Sequence, residues 1–379
     1  KQLSLKFLCE SVDLLKDSAL LCLIIKASSS LYNSSSQDFK KALFSNFNIK
    51  QILDFTPLGR NNCLWDGADV AAGAVFLRNE QPDTATNILH AVFRRTKTSK
   101  EKILFEIDDY DLHFVNRYTA IENPFIWKIN LLGGGRIKKI VEKCLENQSI
   151  KQLVDENKCE VEEGFIIGKN DKKCPDFMLN MQYIPTKAVT EKGIDFSKLD
   201  NINPDETFSK LPGKLTFTNP NIIIKENIGE KTLPVFFNTD MPFSFKRSII
   251  GIYSKTDHDL LKTIFDSIKF HSDICRFLIF ATSGKLLINK NTVFLKEDIM
   301  NLPIIDKSEQ ILSEIDKKII SDVNTFMQKF LRNGENSDAV KAVPKNDNRF
   351  IENFGQEFSR ALNLVYQDGE KKFRLSDII

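Results

Sequence analysis

The 379-residue sequence is poor in tryptophan and tyrosine, with two and six, and it has no long apolar run. Ala19–Ile25 is its longest such run, far short of the ~20 residues that a membrane helix needs, and no secretory signal precedes it. The 53 Lys+Arg and 51 Asp+Glu leave a net charge of only +2. These shortages exclude a membrane-spanning or a histone-like protein, while a 42% hydrophobic content excludes disorder over most of the chain.

Motifs for common chemistry are also missing. The seven cysteines never form Cys-x-x-Cys, which predicts reduced thiols in a cytoplasmic protein. The four histidines lie far apart without Cys or carboxylate partners at ligand spacing, so no metal site is expected. Neither Gly-x-Gly-x-x-Gly nor a P-loop occurs, and nucleotide hydrolysis has no support.

What is present is enough chain for roughly two to three domains, with 30 phenylalanines for their cores. Apolar spacing in the first 79 residues alternates between helical and strand patterns. This predicts the end of a doubly wound α/β domain, in the order helix Leu5–Leu15, strand Leu20–Ile25, helix Phe39–Phe47, strand Ile49–Phe55, hairpin, and strand Ala68–Leu77.

Beyond that point the pattern weakens, and residues 82–123 are expected to be a connector. The glycine run Gly133–Gly135 precedes a predicted helix over Arg136–Leu145, either as a tight turn or as an anion site. Short strand patterns through about residue 253 predict an α+β domain. Helices are then predicted from Thr256 or Asp257, over Ile274–Ala281, along Ile311–Phe330, and over Ile351–Val365.

Taken in order, these segments resemble the adenine-specific DNA methyltransferases of restriction–modification systems, especially the type IIG-like enzymes that carry their own target-recognition domain. The pieces that carry the resemblance are ALLCLIIKASSSLY (19–32), IKQILDF (49–55), ADVAAGAVFLRN (68–79), FIWKINLLGGGRIKKIVEKC (125–144), GFIIGKND (164–171), NPNIIIKE (219–226), SIIGIYS (248–254) and VFLKEDIMNLPII (293–305).

The resemblance implies three parts. Residues 1–122 would be the C-terminal half of a Rossmann-like methyltransferase domain with its connector, 123–305 an α+β target-recognition domain, and 306–379 a helical tail. S-adenosylmethionine would be the cofactor of the complete enzyme and double-stranded DNA its partner.

Two family motifs are absent, the Gly-rich S-adenosylmethionine loop and the Asn-Pro-Pro-(Tyr/Phe) tetrapeptide, and both would lie before Lys1. Asn123-Pro124-Phe125 has a single proline and follows the wrong strand, so it is not expected to be catalytic. The chain alone is therefore expected to select DNA and to transfer no methyl group, with no catalytic residue of its own.

Part of a target-base pocket is expected in the hairpin Pro57–Asp66. In this family, the corresponding hairpin helps to hold the flipped base, which is bound by stacking and edge hydrogen bonds. Trp65 would stack on the adenine, with Arg60 and Asn61 near a phosphate or base edge. The alternative is a core tryptophan that closes the end of the sheet.

Basic residues interleaved with Tyr183, Phe243 and Phe245 suggest the DNA-binding face of the recognition domain. The alternative is an ordinary solvated surface. The candidates are Lys169, Lys172, Lys173, Lys187, Lys225, Lys246 and Arg247.

Two other classes of protein remain open. One is a free-standing specificity subunit that docks on a separate methyltransferase through helices at 308–331 and 350–365. The other is an unrelated α/β structural protein.

Overall fold

The computed structural model describes residues 3–58, 70–83, 85–95, 105–107, 111–179, 181–286, 288, 292–306 and 311–335. The chain divides into two compact units. Unit 1 comprises residues 1–141, 281–291 and 329–379, and unit 2 comprises 142–280 and 292–328. The domain boundaries expected after residues 122 and 305 stay a prediction.

The first 145 residues supply the elements of unit 1, whose limit at Val141 lies within the last helix. In chain order these elements are α1 (Leu3–Asp13), β1 (Leu20–Lys26), α2 (Gln37–Asn46), β2 (Asn48–Asp54), β3 (Ala72–Arg78), β4 (Ile88–Val92), β5 (Arg94–Arg95), β6 (Phe105–Glu106), β7 (Leu112–Val115), α3 (Arg117–Glu122), α4 (Ile126–Leu131) and α5 (Arg136–Leu145).

A mixed five-stranded sheet organises unit 1, in the order β1-β3-β2-β4-β7. Strand β3 is antiparallel to both β1 and β2, so the latter two run in the same direction. Strand β4 is parallel to β2, and β7 is antiparallel to β4. The expected helix–strand order is present and β2 pairs antiparallel with β3, but most of the predicted hairpin lies outside the described residues. Residues 82–123 are more than a connector, because they supply two strands of this sheet. The Rossmann-like assignment itself stays a prediction.

Strand β1 forms one edge of this sheet. Every second residue along it is exposed: Leu20 (58%), Cys22, Ile24 (53%) and, at its end, Lys26. The preceding helix α1 exposes Leu3 and Phe7, and Leu14 is exposed just after it. An unpaired, apolar strand edge is a template for a further strand.

The core of unit 1 is closed by α2 and α4. The Phe44 and Trp127 rings stack with centroids 5.2 Å apart, and the buried His90 ring meets Trp127 edge-on at the same centroid distance. Trp127 is fully buried.

The glycine run forms a tight turn between α4 and α5. Gly133, Gly134 and Gly135 all have positive φ, and the amides of the first two donate to the carbonyls of Asn130 and Ile129. A Cβ on Gly134 would lie 2.8 Å from the His113 ring. These amides therefore cap α4.

Unit 2 has small sheets followed by helices. Its elements are α6 (Ile150–Glu156), β8 (Glu160–Glu163), β9 (Ile166–Lys173), β10 (Gln182–Ile184), β11 (Val189–Thr190), β12 (Gly193–Ile194), β13 (Asp200–Asn201), β14 (Thr207–Lys210), β15 (Asn221–Lys225), β16 (Val235–Asn238), β17 (Ser244–Phe245), β18 (Ile249–Tyr253), α7 (His258–Phe270), α8 (Ser272–Thr282), α9 (Lys296–Met300) and α10 (Glu314–Glu335). The last residues of α8 and α10 belong to unit 1.

An antiparallel four-stranded sheet, β16-β15-β18-β8, is the largest sheet of unit 2. The apolar strands β15 and β18 occupy its centre, and the glutamate-rich β8 lies at its edge. A separate core contains Phe165, Phe208, Phe217, Phe243 and Phe245. The predicted phenylalanine-rich packing is thus observed in this unit.

Among the described residues, no helix combines the length and apolar character that crossing a membrane requires. The predicted helix over Ile351–Val365 lies outside the described residues, as does Cys63. The other six cysteines carry free thiols.

Candidate functional site

Strands β8 and β9 meet at a point where two backbone segments of unit 2 pack closely together. Gly164 separates these strands, and a Cβ at this position would collide with the carbonyl oxygen of Phe245. The Phe165 amide donates to the Phe245 carbonyl (2.9 Å), and the Arg247 amide donates to the Phe165 carbonyl (2.9 Å). Glycine is therefore required here for close approach, and it brings the end of β8 beside residues 245–247.

The carboxylate of Glu163 lies at this junction between two cations. Lys210 Nζ donates to its Oε2 at 2.8 Å, and Arg247 Nε lies 3.3 Å from the same oxygen. Strand β14 delivers Lys210, which is opposite Ile166 of β9. The Glu163 side chain is 17% exposed, whereas that of Arg247 is 62% exposed. We call these three residues the Glu163 cluster.

The cluster holds its carboxylate ionised. Partial burial by itself raises the pKa of Glu163, but the hydrogen bond and charge of Lys210, and then the charges of Arg247 and Lys296, bring that pKa below its ordinary value. Two cations on one carboxylate leave a net positive charge at a half-exposed surface.

Several predicted DNA-binding residues lie around this cluster. Lys246 Nζ is 5.2 Å from the centroid of the Tyr183 ring, a cation–π contact. Lys225 Nζ donates to the Val189 carbonyl at 3.4 Å. The exposed Lys187 follows Thr186, whose hydroxyl bonds the Ser248 hydroxyl. Short contacts thus bring the neighbourhoods of Lys187, Lys225, Lys246 and Arg247 together.

The remaining predicted basic residues lie on β9. Lys172 and Lys173 are exposed, and Lys173 pairs with Thr207 of β14. Thr207 pairs with Lys173, but the next residue of β14, Phe208, pairs with Ile167. The residues of β9 between Ile167 and Lys173 therefore bulge out of the ladder. Lys169 lies within this bulge, and its side chain is outside the description. Neither Lys172 nor Lys173 takes part in the hydrogen bond or the ion pairs of the Glu163 cluster.

The aromatic residues that alternate with these basic residues belong to the core of unit 2, and the DNA-binding role of the basic residues stays a prediction. Tyr183, Phe243 and Phe245 are all buried, and Phe245 meets Phe217 edge-on with centroids 4.9 Å apart. The Tyr183 hydroxyl donates to Asp200 at 3.0 Å, and burial, then this bond, raises the pKa of Tyr183 to about 12. Lys246, next to the buried Phe245, is half-buried, and Arg247 follows in a turn where its side chain is exposed.

In unit 1, the predicted base-pocket residues Arg60, Asn61 and Trp65 lie outside the described residues. The described chain stops at Leu58 and resumes at Val70. Just before this segment, at the end of β2, stands the fully buried Asp54.

Asp54, at the end of β2, bonds to the turn that follows it, to the segment after β1 and to β4. Its Oδ1 accepts the Thr56 amide (2.9 Å), while its Oδ2 accepts the Tyr32 hydroxyl and lies 3.2 Å from His90 Nε2. Burial alone raises the pKa of Asp54, but the hydrogen bond and charge of His90, with the bonds from Thr56 and Tyr32, hold it below the ordinary value.

The described residues of unit 1 show no site for S-adenosylmethionine. Asp54 is fully buried, and both of its carboxylate oxygens accept hydrogen bonds from the surrounding protein. The sequence contains no Gly-rich loop to approach the cofactor. No role in binding S-adenosylmethionine is assigned to these residues.

The single-proline sequence at Asn123 is part of a helix connection. Asn123 ends α3, and its Oδ1 accepts the Phe125 amide at 2.9 Å. This local turn uses the side-chain oxygen that a catalytic asparagine would offer to an adenine amine.

Sequence reasoning missed Glu163 and Lys210. They are 47 residues apart and meet only through the pairing of β14 with β9, for which the sequence carries no recognisable turn signal. Among the described residues, no group of three or more His, Cys, Asp or Glu side chains is arranged to hold a metal ion.

Comparison with known proteins gives no family model and no curated protein that matches. Solved structures do match. The type IIL restriction–modification enzyme MmeI, solved in complex with DNA, has 12% identity and a TM-score of 0.39, covering 95% of this chain and 48% of that one.

Two further matches are restriction–modification proteins. The type IIG restriction endonuclease BpuSI has 12% identity and a TM-score of 0.30, covering 97% of this chain and 50% of that one. A protein of a type I restriction–modification system has 17% identity and a TM-score of 0.22, covering 25% of this chain and 19% of that one. The chain thus spans about half the length of the two larger matches, and the solved structures to which it is similar include type IIG, type IIL and type I proteins.

Proposed function

We propose that this chain is the DNA-recognition portion of an adenine-specific DNA methyltransferase of a restriction–modification system. Unit 2 binds double-stranded DNA, and unit 1 completes its sheet with a methyltransferase portion outside this chain. That portion supplies S-adenosylmethionine and the residues that receive the adenine amine. This chain by itself is inactive as a methyltransferase.

The observation that carries this proposal is the edge of β1. An isolated domain protects a strand edge with charges, prolines or a covering element. Here β1 is an edge strand that exposes Leu20, Cys22 and Ile24 and carries a charge only at its end, Lys26, while Leu3 and Phe7 of α1 are exposed before it. An apolar strip of this kind favours a partner strand, which a doubly wound sheet would supply.

The order of elements supports the same proposal. The resemblance implies a strand, a helix, a second strand and a hairpin into a small apolar strand. Strands β1, β2 and β3 follow that order, and β2 and β3 pair antiparallel from Asn48↔Arg78 to Asp54↔Gly73.

The DNA-binding part of the proposal is supported by charge. Two cations contact Glu163, and Lys246 adjoins Arg247, in a chain whose overall charge is only +2. Local cation groups are what phosphate binding requires.

Reconstitution tests the proposal. The chain is mixed or coexpressed with the methyltransferase portion encoded upstream in frame or by the adjacent gene, and methyl transfer to adenine is measured with labelled S-adenosylmethionine. We expect duplex binding without methylation by the chain alone and methylation by the assembly. Methylation by the chain alone, or micromolar cofactor binding in calorimetry, would contradict it.

A matched pair of variants locates the contact. Ile24→Lys places a charge on the β1 edge, while Phe114→Lys places one on β7 at the opposite edge, where Phe114 is 40% exposed. We expect only Ile24→Lys to prevent assembly. Equal effects would remove the β1 edge from the proposal.

The second candidate is a free-standing specificity subunit that docks through its C-terminal helices. The exposed Ile315 on α10 favours it. In that case, Ile315→Lys would prevent assembly with a separate methyltransferase and Ile24→Lys would not.

A further inference from the structure

We infer that the Glu163 cluster is a binding site for a backbone phosphate of duplex DNA, in which the Glu163 carboxylate orients Lys210 and Arg247 and competes with the incoming phosphate for them. This inference rests on the proposed function and adds Lys210 and Glu163 to the interface.

The geometry gives both cations one shared anionic partner. Lys210 Nζ and Arg247 Nε lie 2.8 and 3.3 Å from the same Oε2. Two donors that converge on one oxygen are also placed to converge on a phosphate oxygen, which is an acceptor of the same charge type. The carboxylate therefore keeps two flexible side chains in a phosphate-binding arrangement.

The backbone fixes where the cations meet. Gly164 allows no side chain against Phe245, and the Phe165 and Arg247 amides bond across the same junction. Lys210 is fixed from the other direction, through its pairing with Ile166 of β9. The site is thus formed by three separate strands or strand ends.

Exposure shows which groups a phosphate can reach. The side chains of Arg247 and Lys210 are 62% and 39% exposed, whereas the carboxylate between them is largely covered. The two cationic side chains are thus more exposed to solvent than the Glu163 carboxylate is. If these ion pairs only stabilised the fold, changing them in a folded chain would leave DNA affinity unchanged.

If the Glu163 carboxylate competes with the phosphate for the two cations, removing its charge should strengthen DNA binding. Glu163→Gln removes one negative charge beside the phosphate and frees both cations, so it should tighten duplex binding roughly three- to tenfold and steepen its salt dependence. Lys210→Gln should weaken binding instead. In the Glu163→Gln/Lys210→Gln/Arg247→Gln variant the gain should disappear.

The control is the neighbouring residue. Glu162→Gln makes the same change of charge one position along β8, where Glu162 pairs with Gly251 and takes no part in the recorded ion pairs. It should alter affinity far less than Glu163→Gln. Thermal unfolding of each variant shows whether unit 2 remains folded.

The assay is fluorescence anisotropy of a short labelled duplex of mixed sequence, titrated with the full chain over a series of salt concentrations. Tighter binding by Glu163→Gln, absent in Glu162→Gln and in the triple variant, supports the inference. Equal effects of the two glutamine variants, or weaker binding by a folded Glu163→Gln chain, overturn it while the proposed function stands. Failure of the unmodified chain to bind duplex at low salt would overturn both.

Discussion

A charged cluster in each unit meets solvent differently. In unit 1, Asp54 is fully buried and bonded to Thr56, Tyr32 and His90, whereas in unit 2 the charges around Glu163 pair at a half-exposed surface. A buried charge cannot reach a ligand, and removing its partner is costly. Surface pairs contribute little to stability. The comparison teaches that the Asp54 network is enclosed within its fold, whereas the cations around Glu163 are within reach of a ligand.

The largest expected effect comes from breaking the Asp54 network. Asp54→Ala would leave Tyr32, Thr56 and His90 without their shared acceptor, so we expect a loss of about 3–5 kcal/mol of unfolding free energy. Trp127 is buried in unit 1, so chemical denaturation followed by tryptophan fluorescence measures this loss. A loss similar to that of Glu163→Gln would contradict the distinction between the units.

Acid should affect the same network. Because the folded-state pKa of Asp54 is below its ordinary value, its contribution is present at neutral pH and is lost as pH falls below that ordinary value. Unit 1 should therefore lose stability on acidification, and Asp54→Asn should flatten this dependence.

The two tryptophans provide the next comparison. Trp127 is fully buried against Phe44, so Trp127→Ala should cost about 3–5 kcal/mol. If Trp65 stacks on a flipped adenine, Trp65→Ala should leave the melting temperature near that of the unmodified chain and lower methylation by the assembly more than duplex affinity. A collapsed melting temperature would place Trp65 in the core instead.

The buried Lys40 should make the stability of unit 1 depend on pH in the alkaline range. Burial lowers its pKa from 10.5 to about 8, so the unfolded state binds more protons between those values and the stability of unit 1 should rise with pH across that range. Lys40→Met should abolish the rise. Lys41→Met is the matched control, because the neighbouring Lys41 is largely exposed and pairs with Glu122. A rise that persists in Lys40→Met would show that another group titrates.

The helices and strands of unit 1 were largely predictable. The apolar spacing predicted β1 and β2 to within a residue or two, and the helix over Arg136–Leu145 begins and ends where expected. Asp257, one of two predicted caps of α7, accepts the Leu260 amide at 2.8 Å. Such signals are local, and local periodicity is what a sequence displays directly.

The rest depends on long-range pairing. Strands β4 and β7 are short and lie in polar surroundings, so nothing local marked them as members of the sheet. Burial of Phe243 and Phe245 follows from which side of the chain faces the core, and this alternation could not be assigned before β17 was known. Glu163 and Lys210 meet only after two distant strands pair.

The most direct test of the DNA-binding claim is the salt dependence of duplex binding by the full chain and by the variant in which Lys172, Lys173, Lys246 and Arg247 are all alanine. Each lost phosphate contact should reduce the slope of log K against log salt by roughly 0.9. We expect weaker binding to every duplex and a slope reduced by about one to four such contacts. An unchanged slope and unchanged affinity at low salt, with the variant folded, would contradict the assignment of the DNA interface to this face of unit 2.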